Sequence, residues 1–422
     1  MKGRALRTPG LVGIMLLSAC GTRDAPRHRK GPLYARAVQL QCALRPFHPL
    51  VPFARGLEQS GHAVVFATRA AFAPTVQRAG FRHSPAGLDR AINEVYPQIR
   101  TMPASELMAF MHPQVWCGLL PEHKVPDLLA LAERWPPDLV VREERDYAGC
   151  IAAEVLGVPH ASVDVHATLD REYPQWATQP LNRHRAAVGL PPDPALAMLR
   201  RYLALRPFPQ SFPDPAHTIS PTTHHVRPTP DDRSGAEGLP DWAASLPDRP
   251  VVYVGMGTTF NKPEVFRAFI AGLRDEALTL VVTVGRDQDP ADYGPQPGNV
   301  HIERYIPLSL LLPRCDVVVT NGGSGTLMAA LSHGLPVVVV PISADQPDNA
   351  ARCRALGLGR VVQPAELTPE WARQAVRSVR AEPSYRRNAE RLRDEIAALP
   401  GVDYAVALLE RLGVEKRPIL AG

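Results

Sequence analysis

The stretch Val317-Val318-Val319-Thr320-Asn321-Gly322-Gly323-Ser324-Gly325-Thr326 decides how this chain folds. Four β-branched residues predict a short strand, the glycines a tight turn, and the apolar spacing over Gly325–His333 a helix. Glycine at such a turn lets the backbone approach a ligand closely. The free N–H groups and dipole of the new helix then favour an anion such as a phosphate. The hydroxyls of Ser324 and Thr326 are candidate further donors. Taken alone, the turn reads equally well as a structural one.

The next strand, Pro336–Val340, runs into Pro341-Ile342-Ser343-Ala344-Asp345-Gln346-Pro347-Asp348-Asn349. In an open α/β sheet, ligands bind beyond the carboxyl ends of strands, so this loop neighbours the glycine turn. Asp345 and Gln346 offer the acceptors and donors that sugar hydroxyls need; Asp345 also reads as the cap of a helix with Pro347 in its first turn. A third loop, Gly255-Met256-Gly257-Thr258-Thr259, follows the strand Val251–Val254 and again has small residues suited to a phosphate.

Further strands are expected at Leu278–Val284, Val300–Ile302, Asp316–Thr320 and Arg360–Val362. Helices are expected at Pro263–Leu273, Gln346–Leu356 and Pro369–Arg380, with long ones at Ser384–Leu399 and Val402–Leu412. Strands alternating with helices imply a parallel sheet covered on both faces. The first half repeats the theme: a helix marked by Leu50, Phe53 and Leu57, a strand Ala63–Thr68, strands Asp138–Val141 and Val158–Val165, and a helix Tyr147–Leu156 between them. Residues 97–130 and 166–206 read as excursions that build a pocket. The proline-rich run Pro207–Pro250 reads as an inter-domain linker. A chain of 422 residues accommodates two domains. The boundaries expected are 47–225 and 251–400 for the domains, 226–250 for the linker proper, and 401–422 for a C-terminal helix and tail.

The net charge of +5 is misleading. Residues 1–46 carry nine Lys/Arg against one Asp, which leaves about −3 for the rest, so no basic stripe points to nucleic acid. No run reaches the roughly 18 apolar residues of a membrane span. The six cysteines are far apart and form no CxxC pair, so buried free thiols are expected rather than a disulfide framework or a metal site.

Residues 1–46 are anomalous. Basic Met1–Gly10, apolar Leu11–Leu17 and Leu17-Ser18-Ala19-Cys20 have the form of a bacterial lipoprotein signal, which would anchor the protein to a membrane. Yet the opening β-α-β of the first domain lacks a strand, because Tyr34–Pro46 is polar and poorly strand-like. A one-base shift across the codons of Arg36–Pro46 can read Val-Arg-Phe-Ser-Ser-Ser-Ala-Pro-Tyr-Gly, then His before Phe47. We therefore read residues 1–46 as largely a wrong-frame product of a cytoplasmic protein, with a genuine lipoprotein as the alternative. An intact reading frame through codon 46 of the gene refutes the frame-shift reading.

Arg304-Tyr305-Ile306-Pro307, Leu310-Leu311-Leu312-Pro313, Cys315-Asp316, the glycine turn and Asp345-Gln346 with Asn349-Ala350 resemble the nucleotide-sugar signature of family 1 glycosyltransferases, nearest the bacterial enzymes that decorate macrolides and other natural products. Trp135-Pro136-Pro137-Asp138 through Glu143 is similar to their acceptor domain. The resemblance implies a GT-B fold, two Rossmann-like doubly wound α/β domains facing across a cleft. It implies an inverting, metal-independent transfer of a hexose or deoxyhexose from a UDP- or TDP-sugar to a hydroxyl of a small hydrophobic acceptor, with no permanent cofactor. By the same resemblance the diphosphate lies against Asn321, Gly322, Gly323, Ser324, Gly325 and Thr326 with Thr258 and Thr259. The base lies near Tyr305 and Ile306, and the sugar near Asp345, Gln346 and Asn349.

Two departures stand out. Asn321 replaces the usual His, and the family's Gly-His-x-x-Pro turn, which carries the catalytic base, falls on Arg45 and Pro46. His48 is the nearby imidazole, and Glu143 falls where the family orients its base. The missing base leaves a catalytically silent nucleotide-sugar-binding helper as an alternative, and a lipid or cell-wall glycosyltransferase as another. Oligomeric state is not legible.

Overall fold

The computed structural model describes residues 38–39, 47–90, 92–100, 102, 104–167, 173–216, 219–229, 232, 238–257, 262–285 and 288–421. Two parallel sheets organise them. The first contains β1 (Val38–Gln39), β2 (Val65–Thr68), β3 (Arg82–Pro85), β4 (Val140–Glu143), β5 (His160–Val163), β6 (Leu203–Arg206) and β7 (Thr223–His225), in the order β3-β2-β1-β4-β5-β6-β7. The second contains β8 (Val251–Gly255), β9 (Thr279–Thr283), β10 (Val300–Glu303), β11 (Val317–Thr320), β12 (Val337–Val339) and β13 (Gly359–Val361), in the order β10-β9-β8-β11-β12-β13. Both are doubly wound, and each reverses strand order at one point, β1/β4 and β8/β11, where such sheets open a ligand crevice.

The second sheet forms where its sequence says it should. Its central strands β8 and β11 are buried along their whole length, as expected of β-branched runs covered by helices on both faces. One face packs on the helix Ser324–Ser332 through Leu327 and Leu331. The other packs on Pro263–Leu273 and Pro369–Ala381 through Phe266, Phe269 and Val376.

The first sheet corrects three expectations. The strand read as missing is present as β1, whose Val38 pairs in parallel with Phe66 on one side and Val141 on the other. Only two residues pair, too few to leave a periodicity in the sequence. The remaining features of residues 1–46, the lipoprotein-like signal and the rest of the frame-shift reading, lie outside the described residues. Second, the proline-rich run begins inside the domain, because β7 extends the sheet as an edge strand beside β6, a place where flanking prolines cost no ladder hydrogen bonds. Third, β3 and β6 went unread; β3 carries Arg82, Ser84 and Pro85, with only His83 buried.

The excursion at 97–130 is largely helical. Ala104–Phe110 leads into a π-helical segment, Met111–Leu119, and on into Leu120–Arg134. Pro113 has no N–H to give to the preceding turn, which accounts for a widened helix at this point. The helix Val402–Glu415 returns to the first domain, where Val406, Leu409 and Leu412 join its core beside Leu57. Among the described residues no helix is long and apolar enough to cross a membrane. The four described cysteines, Cys117, Cys150, Cys315 and Cys353, are buried free thiols.

Candidate functional site

At the β8/β11 reversal the glycine turn is held from below. Asn321 is fully buried. Its Nδ2 donates to the Met256 carbonyl at 2.5 Å, and its Oδ1 accepts from Gly323 N at 3.0 Å. The residue thus ties the β11 loop to the β8 loop, and its carboxamide is spent within the protein. Gly322 has φ +81°, and a Cβ there would sit 2.8 Å from Val339 Cγ1, so only glycine fits this turn.

The helix that follows has four N–H groups without intrahelical partners. Gly323 N is taken by Asn321, and Ser324 N by Asp345 Oδ2 at 3.2 Å. The first intrahelical bond is Leu327 N to Gly323 O. Gly325 N and Thr326 N are left without a partner among the described residues, and around Gly325 a Cβ would meet nothing within 4 Å. Two N–H groups at a helix start, opening onto bare space, have the chemistry that suits an anion.

Asp345 caps this neighbouring helix rather than its own. It makes no cap bond on Gln346–Ala355, while Ser324 Oγ donates to its Oδ2 at 2.6 Å. Asn349 Nδ2 reaches Gly322 O at 2.8 Å, Asp345 Oδ2 at 2.9 Å and Ser324 Oγ at 3.1 Å. The Ser324 hydroxyl, a candidate phosphate donor, is instead the centre of this network. Gln346 is fully buried. Its Oε1 accepts from Ile342 N at 2.8 Å and Ser343 N at 2.9 Å, and its Nε2 has no partner. Those two bonds hold a loop in which Ala344 takes φ +58°, a left-handed conformation that alanine rarely adopts and that a tightly bonded loop sustains.

Ile306 is buried in the second core. Tyr305 gives its hydroxyl hydrogen bond to the Asp232 carbonyl, and the Asp232 carboxylate accepts from Ser309 N and Ser309 Oγ, each at 2.7 Å. The start of the linker is thereby sewn to the second domain. Thr258 and Thr259 lie outside the described residues.

Across the cleft, β4 and β5 end in Glu143-Glu144 and Asp164-Val165-His166-Ala167. Glu143 is buried, and its Oε1 accepts from Arg145 N at 3.0 Å. Burial first, and then the Glu144 charge beside it, push its carboxyl up to about 7. Glu144 pairs with His166 Nδ1 and accepts from Val165 N at 3.3 Å. Burial and Arg145 oppose a charged His166, but the charge and hydrogen bond of Glu144, aided by Asp345, hold its affinity for a proton above the ordinary imidazole range. Ligand atoms of Glu143, Glu144 and His166 fall within 4.8 Å of one another, a donor set of metal-binding type. Their oxygens, however, already accept backbone N–H and imidazole hydrogen bonds, as a proton-sharing cluster does.

His48 stands at the start of the helix Val51–Gln59, where its carbonyl accepts from Val51 N. Around Glu143 the structure gathers Arg145, Glu144 and His166. Glu144 and His166 were not singled out in the sequence. The signal was there, since both follow the carboxyl ends of adjacent parallel strands.

The His166 segment is clamped at each end. Asp164 receives Arg206 Nη1 at 2.8 Å and Arg200 Nη1 at 2.6 Å, and Arg206 Nη2 also reaches the Ala167 carbonyl. Ala167 N donates to Ser324 Oγ at 2.8 Å. This bond spans the two domains and carries the segment to the glycine turn. Beside it, His112 stacks edge-on against Trp116 with ring centres 4.5 Å apart and lies 4.6 Å from Trp176, while the Arg145 guanidinium lies over the Trp116 ring at 5.0 Å. Burial, and then the nearby Arg145 charge, drive His112 down to about 3, so its ring is neutral.

Comparison with known proteins agrees with this fold. Residues 55–257 match the N-terminal domain, and residues 270–412 the C-terminal domain, of the erythromycin biosynthesis protein CIII-like family. The 4'-demethylrebeccamycin synthase of Lentzea aerocolonigenes is 32% identical over 86% of this chain and 96% of its own length. The 10-deoxymethynolide desosaminyltransferase of Streptomyces venezuelae is 29% identical over 88% and 95%. Among solved structures, glycosyltransferase VinC in complex with DTDP superposes with a TM-score of 0.74 at 25% identity, covering 90% of this chain and 99% of that one. The Streptomyces sp. SF2575 glycosyltransferase SsfS6, complexed with thymidine diphosphate, gives 0.72 at 29% identity over 89% and 98%. These likenesses set aside the catalytically silent helper and the cell-wall alternatives.

Proposed function

The chain belongs to the erythromycin biosynthesis protein CIII-like branch of the family 1 glycosyltransferases, and on that premise we propose that it moves a hexose or deoxyhexose from a thymidine or uridine diphosphate sugar to a hydroxyl of a small hydrophobic acceptor, inverting the anomeric carbon. One observation carries the donor side. Gly325 N and Thr326 N are unspent at a helix start, and against the same glycine turn packs the backbone of a fully buried Gln346 whose Nε2 lacks a partner. A buried donor left unsatisfied costs stability, and a sugar hydroxyl repays it while the diphosphate occupies the two N–H groups. Thymidine diphosphate in the related complexes supports that nucleotide first.

The acceptor side rests on the partly exposed rings of Trp116 and Trp176, one from each excursion, both in contact with the buried His112. Flat apolar rings suit a polyketide-like or aromatic aglycone better than a sugar or a peptide. The buried free thiols support a reducing compartment. Titration calorimetry with TDP and UDP, followed by transfer from TDP-glucose to a panel of phenols and alcohols, tests the reading. Absence of binding by either nucleotide refutes it.

A further inference from the structure

We propose that His166, held by Glu144, is the general base of the transfer, in place of the histidine that the first turn lacks. The inference rests on the donor-site reading above. With Glu144 on Nδ1, the imidazole keeps its proton on that nitrogen and turns an Nε2 lone pair outward. Nε2 has no hydrogen-bond partner among the described residues, and the side chain retains 18% exposure. Glu144 is itself fixed by Val165 N, so the ring cannot easily swing. A carboxylate that fixes the tautomer of a histidine and stabilises its cationic form is the arrangement that general bases use.

Position supports the assignment. His166 is one residue from Ala167, whose N–H bonds Ser324 at the donor turn. The charge of Asp345, in the loop assigned to the sugar, reaches the His166 ring. The partly exposed Trp116 ring carries Arg145 at 5.0 Å, and Arg145 in turn acts on His166. An acceptor resting on Trp116 thus brings its hydroxyl toward His166, beside the donor turn. The groups facing the ring are Glu143, Glu144, Arg145, His112 and Asp345.

The acceptor O–H gives its proton to His166 Nε2 as its oxygen bonds the anomeric carbon. The bond from that carbon to the diphosphate oxygen breaks, and its electron pair leaves with the diphosphate. The imidazolium is held by the Glu144 carboxylate until it returns its proton to solvent.

A thiol acceptor separates base catalysis from structure, because a thiophenolate is already ionised near neutral pH and needs no proton removed. The full-length protein is assayed with TDP-glucose, using an aliphatic alcohol and a thiophenol of similar shape. For His166→Ala we expect kcat for the alcohol to fall about 10²–10⁴-fold, with thiophenol transfer and TDP binding within about threefold of wild type. For Glu144→Gln we expect the ascending limb of the pH–rate profile to move to lower pH, because the group that raises His166 is gone. Equal loss with both acceptors, an unchanged alcohol rate, or the alcohol-selective loss appearing in His48→Ala instead overturns the proposal. Wild-type protein that transfers to the thiophenol but not to the alcohol also overturns it. Failure of wild type to bind TDP overturns the donor-site reading itself.

Discussion

Glu143→Gln is the substitution whose effect follows most directly from the geometry. A carboxyl that titrates near 7 instead of 4.5 is destabilised as an anion by about 3 kcal/mol, at roughly 1.4 kcal/mol per pH unit. Because its folded value is raised, the folded state holds a proton there that the unfolded state has lost between those two values. The stability contributed by this group is therefore complete below 4.5 and is lost as pH rises through 7. Glutamine keeps the oxygen that accepts from Arg145 N and cannot ionise. It also faces Glu144 with a donor instead of a second charge. The variant should be more stable than wild type by about 2–3 kcal/mol at pH 8 and nearly equal at pH 5. That is roughly a 3 °C rise in the unfolding midpoint for a chain of this size, read by circular dichroism at both pH values. An identical shift at pH 5 and pH 8, or destabilisation confined to pH 8, refutes the claim that burial and Glu144 set the titration of Glu143.

Three further outcomes are expected. Gln346→Glu keeps the oxygen that receives Ile342 N and Ser343 N but removes the unpartnered donor. It should bind TDP normally while KM for TDP-glucose rises about tenfold or more, checked by calorimetry beside steady-state kinetics. Ser324→Ala strands Ala167 N and removes the hydroxyl bonds to Asp345 and Asn349. Urea unfolding should show a loss of about 1–3 kcal/mol. Arg206→Leu leaves the buried Asp164 with Arg200 alone and frees the Ala167 carbonyl. A destabilisation of about 3–5 kcal/mol is expected, with transfer falling as the His166 segment loosens.

The donor half was legible almost residue by residue. The expected helix Pro263–Leu273 forms with those bounds, and each second-sheet strand falls within two residues of its expected ends. The reason is physical: a parallel sheet buried on both faces needs unbroken β-branched runs, and glycine punctuates them. The roles of individual side chains were less legible. Asn321 and Ser324 looked like ligand donors, yet they bond Met256, 65 residues away, and Ala167, 157 residues away. The pairing of Glu144 with His166 likewise depends on two strands lying side by side, which no local pattern records. The π-helical segment and β1 escaped because a widened turn and a two-residue pairing have no period to detect.

The returning helix Val402–Glu415 has a consequence for how the protein is made. Ile419 is fully buried in the first core and receives His224 Nε2 on its carbonyl, while its own N–H bonds Tyr202 O. The first-domain core is therefore completed by residues made after the whole of the second sheet. The second domain, whose sheet ends at β13, can fold while the first still waits for its closing helix. Val406 fills the space above Gly56, where a Cβ would approach it to 2.7 Å. Ribosome stalling or premature termination near codon 400 would thus release a chain with a finished donor domain and an exposed apolar face on the helix Val51–Gln59, a ready target for chaperones and proteases.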